Sequence, residues 1–471
     1  MATSTVEFDE APISPSTPEE LAGPPVLQPQ FGPVARQERI NSLDVLRGCA
    51  LMGILIMNIT DFAYSYTSYL IPLGTWLPVF TGPHAKANTT VWMLRWILAE
   101  GKMRALFSML FGAGAVLLTD RAESRGGGDR IADIFLRRNM WLVLIGFLHG
   151  FVIWNGDILF WYGITGLLFL YPMRKLKPKT LLKASGWLIL VWILVAGVGR
   201  TIGVWSTEKD GKAAIAAANA GKPLTEKQRN AIGSKVEQDK QWRPLRIDVE
   251  KSIANHHGYL KAQGTDAKAT LESQRAIYFG FLDVLIFMMI GMALYKNGFL
   301  TGKLPTSVYV KTAIIGYLIA IPITTVGVIQ AWRGGFEIVS STAWLFGPYD
   351  ICRVSGALAN ASVILLIVRA GVLSWLTKRI AAVGQTALSN YLLTSIICQF
   401  LFLWGPTHWY QYIEYYKLYY VVAGVWTINL IWSPLWLRYF QFGPIEWVWR
   451  SLTYWKLQPM LLQETTITIK A

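Results

Sequence analysis

Apolar residues along this chain gather in long runs, separated by short polar stretches rich in Lys and Arg. A helix that crosses a membrane needs about 20 mostly apolar residues. Runs of that kind cover roughly 43–60, 103–119, 139–155, 158–172, 183–204, 276–297, 311–331, 344–368, 381–402 and 419–437. The pattern predicts an all-α, polytopic integral membrane protein with about ten transmembrane helices. Asn155-Gly156-Asp157 marks a tight hairpin between the third and fourth of them. Residues 90–101 read as a separate interfacial helix, because Arg95, Glu100 and Lys102 interrupt the apolar run.

The polar remainder divides the chain further. Residues 1–38 hold seven prolines and several acids without a helical period, and are expected to form a disordered cytoplasmic tail. Membrane helices fill 39–204 and 276–440. The stretch between them, 205–275, is hydrophilic and rich in Ala, Lys and Gln, and reads as a helical extracytoplasmic insertion. Ala213–Ala220 and Leu271–Tyr278 look helical within it. Residues 441–471 form a closing tail, whose aromatic stretch Phe442–Tyr454 reads as an amphipathic helix anchored at the inner membrane surface by Trp and Arg.

Charge orients this arrangement. With the N-terminus in the cytoplasm, the inner loops carry Arg121, Arg125, Arg130, Arg137 and Arg138, then Arg174, Lys175, Lys177, Lys179 and Lys183. Further inner loops carry Lys296, Lys303 and Lys311, then Arg369, Lys378 and Arg379. The short outer loops hold little more than Lys86, Arg333 and Lys417. Short cytoplasmic loops collect Lys and Arg, so both termini are expected inside, with an even number of spans. The expected location is a cytoplasmic membrane, crossed many times.

Composition agrees. Apolar residues make up 53% and charged residues 15% of 471, mean hydropathy is +0.36, and there are 21 Trp. A soluble domain carries about 25% charged residues, so the lipid bilayer is the expected partner. The net charge of +15 follows from the inner loops, and no nucleic-acid motif accompanies it. Cys49, Cys352 and Cys398 sit in apolar segments without metal-ligand spacing, so no metal site is expected.

Ionisable residues inside spans are costly and point to function. His149, Asp283, Asp350 and Arg353 fall at similar depths in the outer half, with Asp157, Arg104 and Asn58 at or near outer helix ends. An outer, water-filled pocket would gather them; interhelical ion pairs such as Asp350 with Arg353 would equally account for the charges. His149 is the candidate general base, because imidazole exchanges a proton near neutral pH. Asp157, eight residues on, would orient it; a hydrogen-bonded packing histidine is the simpler alternative. On the inner side, Asp44 and Arg47 share one helical face. They read as an interfacial anchoring pair or as a contact for an anionic donor. Phe111-Gly112-Ala113-Gly114-Ala115 reads as helix packing, since neither a strand before it nor a Gly-Lys-Ser after it suggests a nucleotide loop.

Several stretches carry a family resemblance. They are Arg39–Gly48, Arg104–Gly114, His149–Leu159, Gly384–Leu392 and Phe442–Tyr454. In this order they resemble the YeiB-like bacterial membrane proteins, a family built on domain of unknown function 418, over about residues 39–460. The opening Ser42-Leu43-Asp44-Val45-Leu46-Arg47-Gly48 is also distantly similar to transmembrane acyltransferases such as heparan-glucosaminide N-acetyltransferase. That likeness implies transfer of an acyl group from cytoplasmic acyl-coenzyme A, as co-substrate, to a hydroxyl or amine of a small-molecule or glycan acceptor beyond the membrane. Asp44 and Arg47 match the shared opening motif and would face the donor. The acyltransferases rely on a histidine near the outer end of the first span. Here the corresponding region offers only His84, in an unmatched Gly-Pro-His-Ala context, and the match at His149 belongs to the YeiB-like family. On the acyl-transfer reading His149 is the base, Asp157 orients it, and Arg104 or Asn58 stabilises an oxyanion. The alternatives are a transporter or permease for a small metabolite, whose path the same charges would line, and a noncatalytic envelope scaffold.

Overall fold

The structure, a computed structural model, describes residues 41–462 other than 127, 129 and 276. The expected disordered tail at 1–38 lies outside them. The described chain is all-helical apart from an isolated bridge between Phe440 and Leu461.

Seven helices among the described residues are long and apolar enough to cross a membrane, so the protein is polytopic. They are α1 (Asn41–Ala63), the joined pair α2 (Ala85–Leu98) and α3 (Lys102–Ser124), α6 (Pro178–Asn219), α11 (Thr306–Arg333), α12 (Ile338–Ala370), α14 (Ala387–Trp404) and α15 (Tyr415–Trp436). Three expected spans fall outside these seven: α4 (Arg130–Val152), the shorter α5 (Leu159–Met173) and α10 (Ile277–Lys296). Each packs on neighbouring helices, α4 against α5 and α10 against α3, while α4 keeps an exposed apolar face that includes Met140, Leu144 and Leu148. The α3–α10 crossing depends on missing side chains: a Cβ on Gly112 would strike the Met288 backbone, and one on Gly291 the Met109 backbone. Gly112 therefore packs as its motif suggested, whereas Gly114 meets nothing and borders a cavity.

Helix direction sorts the loops onto two faces. One is basic and carries Arg174, Lys296, Arg369 and Arg379, which are tied to backbone carbonyls of neighbouring loops and helix ends. The other carries the hydrophilic insertion, which continues α6 and adds α7 (Glu226–Trp242), α8 (Arg246–Asn255) and α9 (Tyr259–Arg275). The insertion is bonded onto the bundle: Trp242 Nε1 donates to Phe336 O at 2.9 Å, and Arg246 donates to Trp76 O at 2.9 Å while lying over the Trp76 ring.

On the basic face, the amphipathic helix α13 (Ser374–Gln385) ends at Thr386, where α14 begins. The closing helix α16 (Pro444–Tyr454) does more than anchor. It plugs into the start of α14: buried Glu446 Oε1 accepts from Leu388 N at 2.6 Å and Ser389 N at 3.2 Å, and Oε2 accepts from Ser389 Oγ. These are N–H groups that a helix start leaves unsatisfied, so a carboxylate from another helix caps the span.

Candidate functional site

His149 sits near the end of α4 and is 1% exposed. The chain then makes an irregular turn, and its Asp157 returns to the imidazole. His149 Nδ1 meets Asp157 Oδ1 at 2.8 Å, while Asp157 Oδ2 accepts from Phe160 N at 2.7 Å. Gly146 makes room for this return: a Cβ there would collide with Phe160 N and crowd Asp157 Oδ2. On the other side of the ring, His149 Nε2 lies 3.0 Å from Ser395 Oγ of α14. Ser395 is 1% exposed and also lies 3.2 Å from Tyr391 O.

The result is a continuous Asp157–His149–Ser395 chain. A hydroxyl within hydrogen-bond reach of a base, itself oriented by a third group, is the arrangement that activates a nucleophile. With Asp157 accepting the Nδ1 proton, Nε2 presents a lone pair to the Ser395 hydroxyl. Ser395 escapes sequence reading because hydroxyls in membrane helices commonly bond back to their own backbone. Only the spacing Tyr391, Ser395, Gln399, one face of a helix, hints at a polar stripe.

Position along the bundle is set by α14. Ser395 stands about 12 Å from the Ala387 end of a helix about 27 Å long, at 1.5 Å per residue. The Asp157–His149–Ser395 chain therefore lies beside the middle of α14. Residues 153–158 are irregular beside it, and α5 begins only at Leu159. Irregular backbone within a membrane bundle survives only where protein satisfies it, and here it does. Gln399 and Gln263 both donate to Ile153 O, at 2.8 and 3.0 Å. Ile158 N donates to the Tyr391 hydroxyl at 3.3 Å, and Thr270 Oγ1 donates to Gly150 O at 2.9 Å. Gln263 and Thr270 come from the insertion.

Two cavities approach the chain. The first, about 240 Å³, has Arg47, Arg121, Arg138 and Arg450 on its lining at the basic face. Its wall becomes apolar and aromatic inward, through Phe107, Phe111 and Leu142 to Tyr162 and Tyr391. Tyr391 in turn packs on His149, with ring centroids 4.9 Å apart. The second, about 170 Å³, lies under the insertion, lined by Asp61, Trp154, Asn155, His256 and Gln399 among others. Trp154 meets the other side of His149, centroids 6.2 Å apart. Among the described residues, Trp154 Nε1 and Gln399 Oε1 are buried without a hydrogen-bond partner. His149 and Ser395 line neither cavity; they lie between Tyr391, which borders the first, and Trp154 and Gln399, which border the second.

The remaining candidates separate from this chain. Asp44 and Arg47 do pair, at 2.9 Å, and Arg47 also donates to Gly384 O at 3.3 Å beside the first cavity. Arg104 instead lies 3.6 Å from Asp283 in a charge network. Within it Arg353 clasps Asp283 at 2.6 and 3.1 Å and Asp350 at 2.8 Å. Glu100 joins Arg95, at 3.1 Å, to Tyr349, at 3.0 Å. Asn58 is half-buried on α1, and no hydrogen bond among the described residues joins it to His149. The polar groups thus form two assemblies, a charge network and the His149 chain, in place of one outer pocket. Among the described residues no cluster of His, Cys, Asp or Glu could hold a metal ion.

A many-helix membrane bundle, with a buried Asp–His–Ser chain between two cavities, is the class of protein these features define. The chain belongs to the family described as "Protein of unknown function (DUF418)", whose model matches residues 294–456. It is 30% identical over 445 residues to the uncharacterized protein YxaH of Bacillus subtilis (strain 168), covering 91% of this chain and 97% of that one. It is 29% identical over 418 residues to the uncharacterized protein YeiB of Escherichia coli (strain K12), covering 88% and 96% respectively. No solved structure matches. With bacterial relatives matched along nearly their whole length, this is a bacterial-type membrane protein.

Proposed function

We propose that this protein transfers an acyl group across the bacterial cytoplasmic membrane, from acyl-coenzyme A to a hydroxyl or amine acceptor outside. Both termini would lie in the cytoplasm, placing the basic face inside. The observation that carries the reading is the Asp157–His149–Ser395 chain beside the middle of α14, between an arginine-lined cavity and a second one under the insertion. Coenzyme A presents phosphates, which arginines recognise, and a long pantetheine arm. Arg47, Arg121, Arg138 and Arg450 would hold the phosphates, and the apolar lining would receive the arm and acyl chain. His149 would act as general base, oriented by Asp157. The acceptor would occupy the second cavity, where Trp154 Nε1 and Gln399 Oε1 offer a donor and an acceptor.

Binding of acetyl-coenzyme A to purified protein tests this, beside Arg47→Ala and Arg138→Ala. Saturable binding weakened at least tenfold in both well-folded variants is expected. Absence of binding with acetyl and longer acyl chains overturns it. The second reading is then transport of a small anion. It draws on the same two cavities and on prolines inside two spans, Pro322 in α11 and Pro434 in α15. Flux in proteoliposomes without any acyl donor distinguishes it.

A further inference from the structure

We propose that Ser395 is itself acylated, so that the acyl group passes between the cavities in two steps through a serine ester. This rests on the acyl-transfer reading and adds the route. The observation is positional. Tyr391, Ser395 and Gln399 lie one above another on one face of α14, a turn apart, about 6 Å at each step. Tyr391 borders the basic cavity, Gln399 borders the second cavity, and Ser395 lies between them on His149 Nε2 at 3.0 Å. The two cavities share no lining residue. A donor held on the basic side and an acceptor held under the insertion are thereby kept apart. A group between them that can take the acyl from one and give it to the other resolves the separation, and Ser395 is placed for both.

In the first step, Ser395 Oγ bonds to the thioester carbonyl carbon as its proton passes to His149 Nε2. The carbon–sulfur bond breaks, and the departing thiolate takes that proton, leaving as coenzyme A. In the second step, the acceptor oxygen or nitrogen bonds to the same carbonyl carbon and gives its proton to His149 Nε2. The carbon–Oγ bond breaks, and Ser395 regains the proton. Asp157 holds His149 in the required tautomer and stabilises the imidazolium in both steps. The chemistry needs no acceptor for its first half, so it can be tested before the acceptor is known.

The test is exchange of labelled coenzyme A into acetyl-coenzyme A by the purified full-length protein, without acceptor. Peptide mass mapping then localises the acetyl group. Exchange by wild type, an acetylated Ser395 peptide, and a loss of about a thousandfold in Ser395→Ala are expected. Ser395→Ala should still bind acetyl-coenzyme A with unchanged affinity, which shows that it is folded. Ser395→Cys should become acetylated as a thioester, a readout that a packing role would not produce. If wild type binds acetyl-coenzyme A but neither exchanges nor becomes acetylated, transfer is direct: the ester falls while the acyl-transfer reading stands. Exchange by Ser395→Ala at the wild-type rate also overturns it. If acetyl-coenzyme A does not bind at all, the underlying reading fails and the ester fails with it.

Discussion

Replacing Arg353 with Met separates charges that hold the bundle from groups that perform chemistry. Arg353 has a side chain 3% exposed and makes contacts of 2.6 and 3.1 Å with Asp283 and 2.8 Å with Asp350. Removing one partner of a buried ion pair costs about 3–5 kcal/mol, because the other charge stays buried and unpaired. Here Asp283 keeps a second cation, Arg104 at 3.6 Å, whose attraction is about 5 kcal/mol before desolvation at an effective dielectric near 20. Asp350, with its side chain 9% exposed, makes no ion pair other than the one to Arg353 among the described residues. The expected loss is therefore at the lower end, about 3 kcal/mol. Adding Asp283→Asn and Asp350→Asn should recover most of it, leaving the triple variant within about 1 kcal/mol of wild type. Reversible unfolding in mixed detergent micelles, followed by tryptophan fluorescence, measures both. A single variant within 1 kcal/mol of wild type, or a triple variant no better than the single, would refute the reasoning.

Other perturbations address the site. Asp157→Asn turns an amide donor or a weaker acceptor toward His149 and spoils the tautomer, so coenzyme A exchange should fall about 10³–10⁴-fold, as for the corresponding change in serine proteases; a rate within tenfold of wild type contradicts the assigned role. Gly146→Ala drives a methyl into Phe160 N and Asp157 Oδ2 and should destabilise by about 1–3 kcal/mol, whereas Gly114→Ala, with nothing within 4 Å, should be nearly silent in the same unfolding assay. Glu446→Ala strips buried acceptors from Leu388 N and Ser389 N and should cost about 2–4 kcal/mol, with Glu446→Gln milder because it keeps an acceptor oxygen. Burial holds the His256 imidazole below its ordinary value, against a raising hydrogen bond to Ser252 O. The unfolded segment therefore takes up the proton first as pH falls through the ordinary histidine range, and the folded state loses stability there. Amide exchange across 246–255 should rise at pH 5 after correction for intrinsic rates, and His256→Gln should abolish that rise.

The sequence already displayed much of this protein. Lipid removes the option of an exposed backbone, so long apolar runs become helices whatever surrounds them. The hydrophilic insertion was legible in the same way, since 205–275 cannot be solvated by hydrocarbon and its Ala- and Lys-rich composition favours helix. The sequence offered the pairing of His149 with Asp157 only as a possibility beside a packing histidine, and the fold supplies the contact.

What the sequence could not display depends on which helices meet. Ser395 lies 246 residues from His149, and a serine in a membrane helix carries no signal of its own until a partner arrives. Arg104 looked like a candidate for the site, but Asp283 and Arg353 come from distant helices and draw it into a charge network. The tail helix looked like a surface anchor, because its aromatic periodicity cannot reveal that Glu446 caps a span some 57 residues earlier in the chain. Apolarity and local pattern are one-dimensional properties, so the sequence alone determined the all-helical membrane architecture and the hairpin at His149. Only the tertiary structure chose Ser395 as the partner of His149 and put a cavity on either side of the pair, because each depends on contacts between segments far apart in the chain.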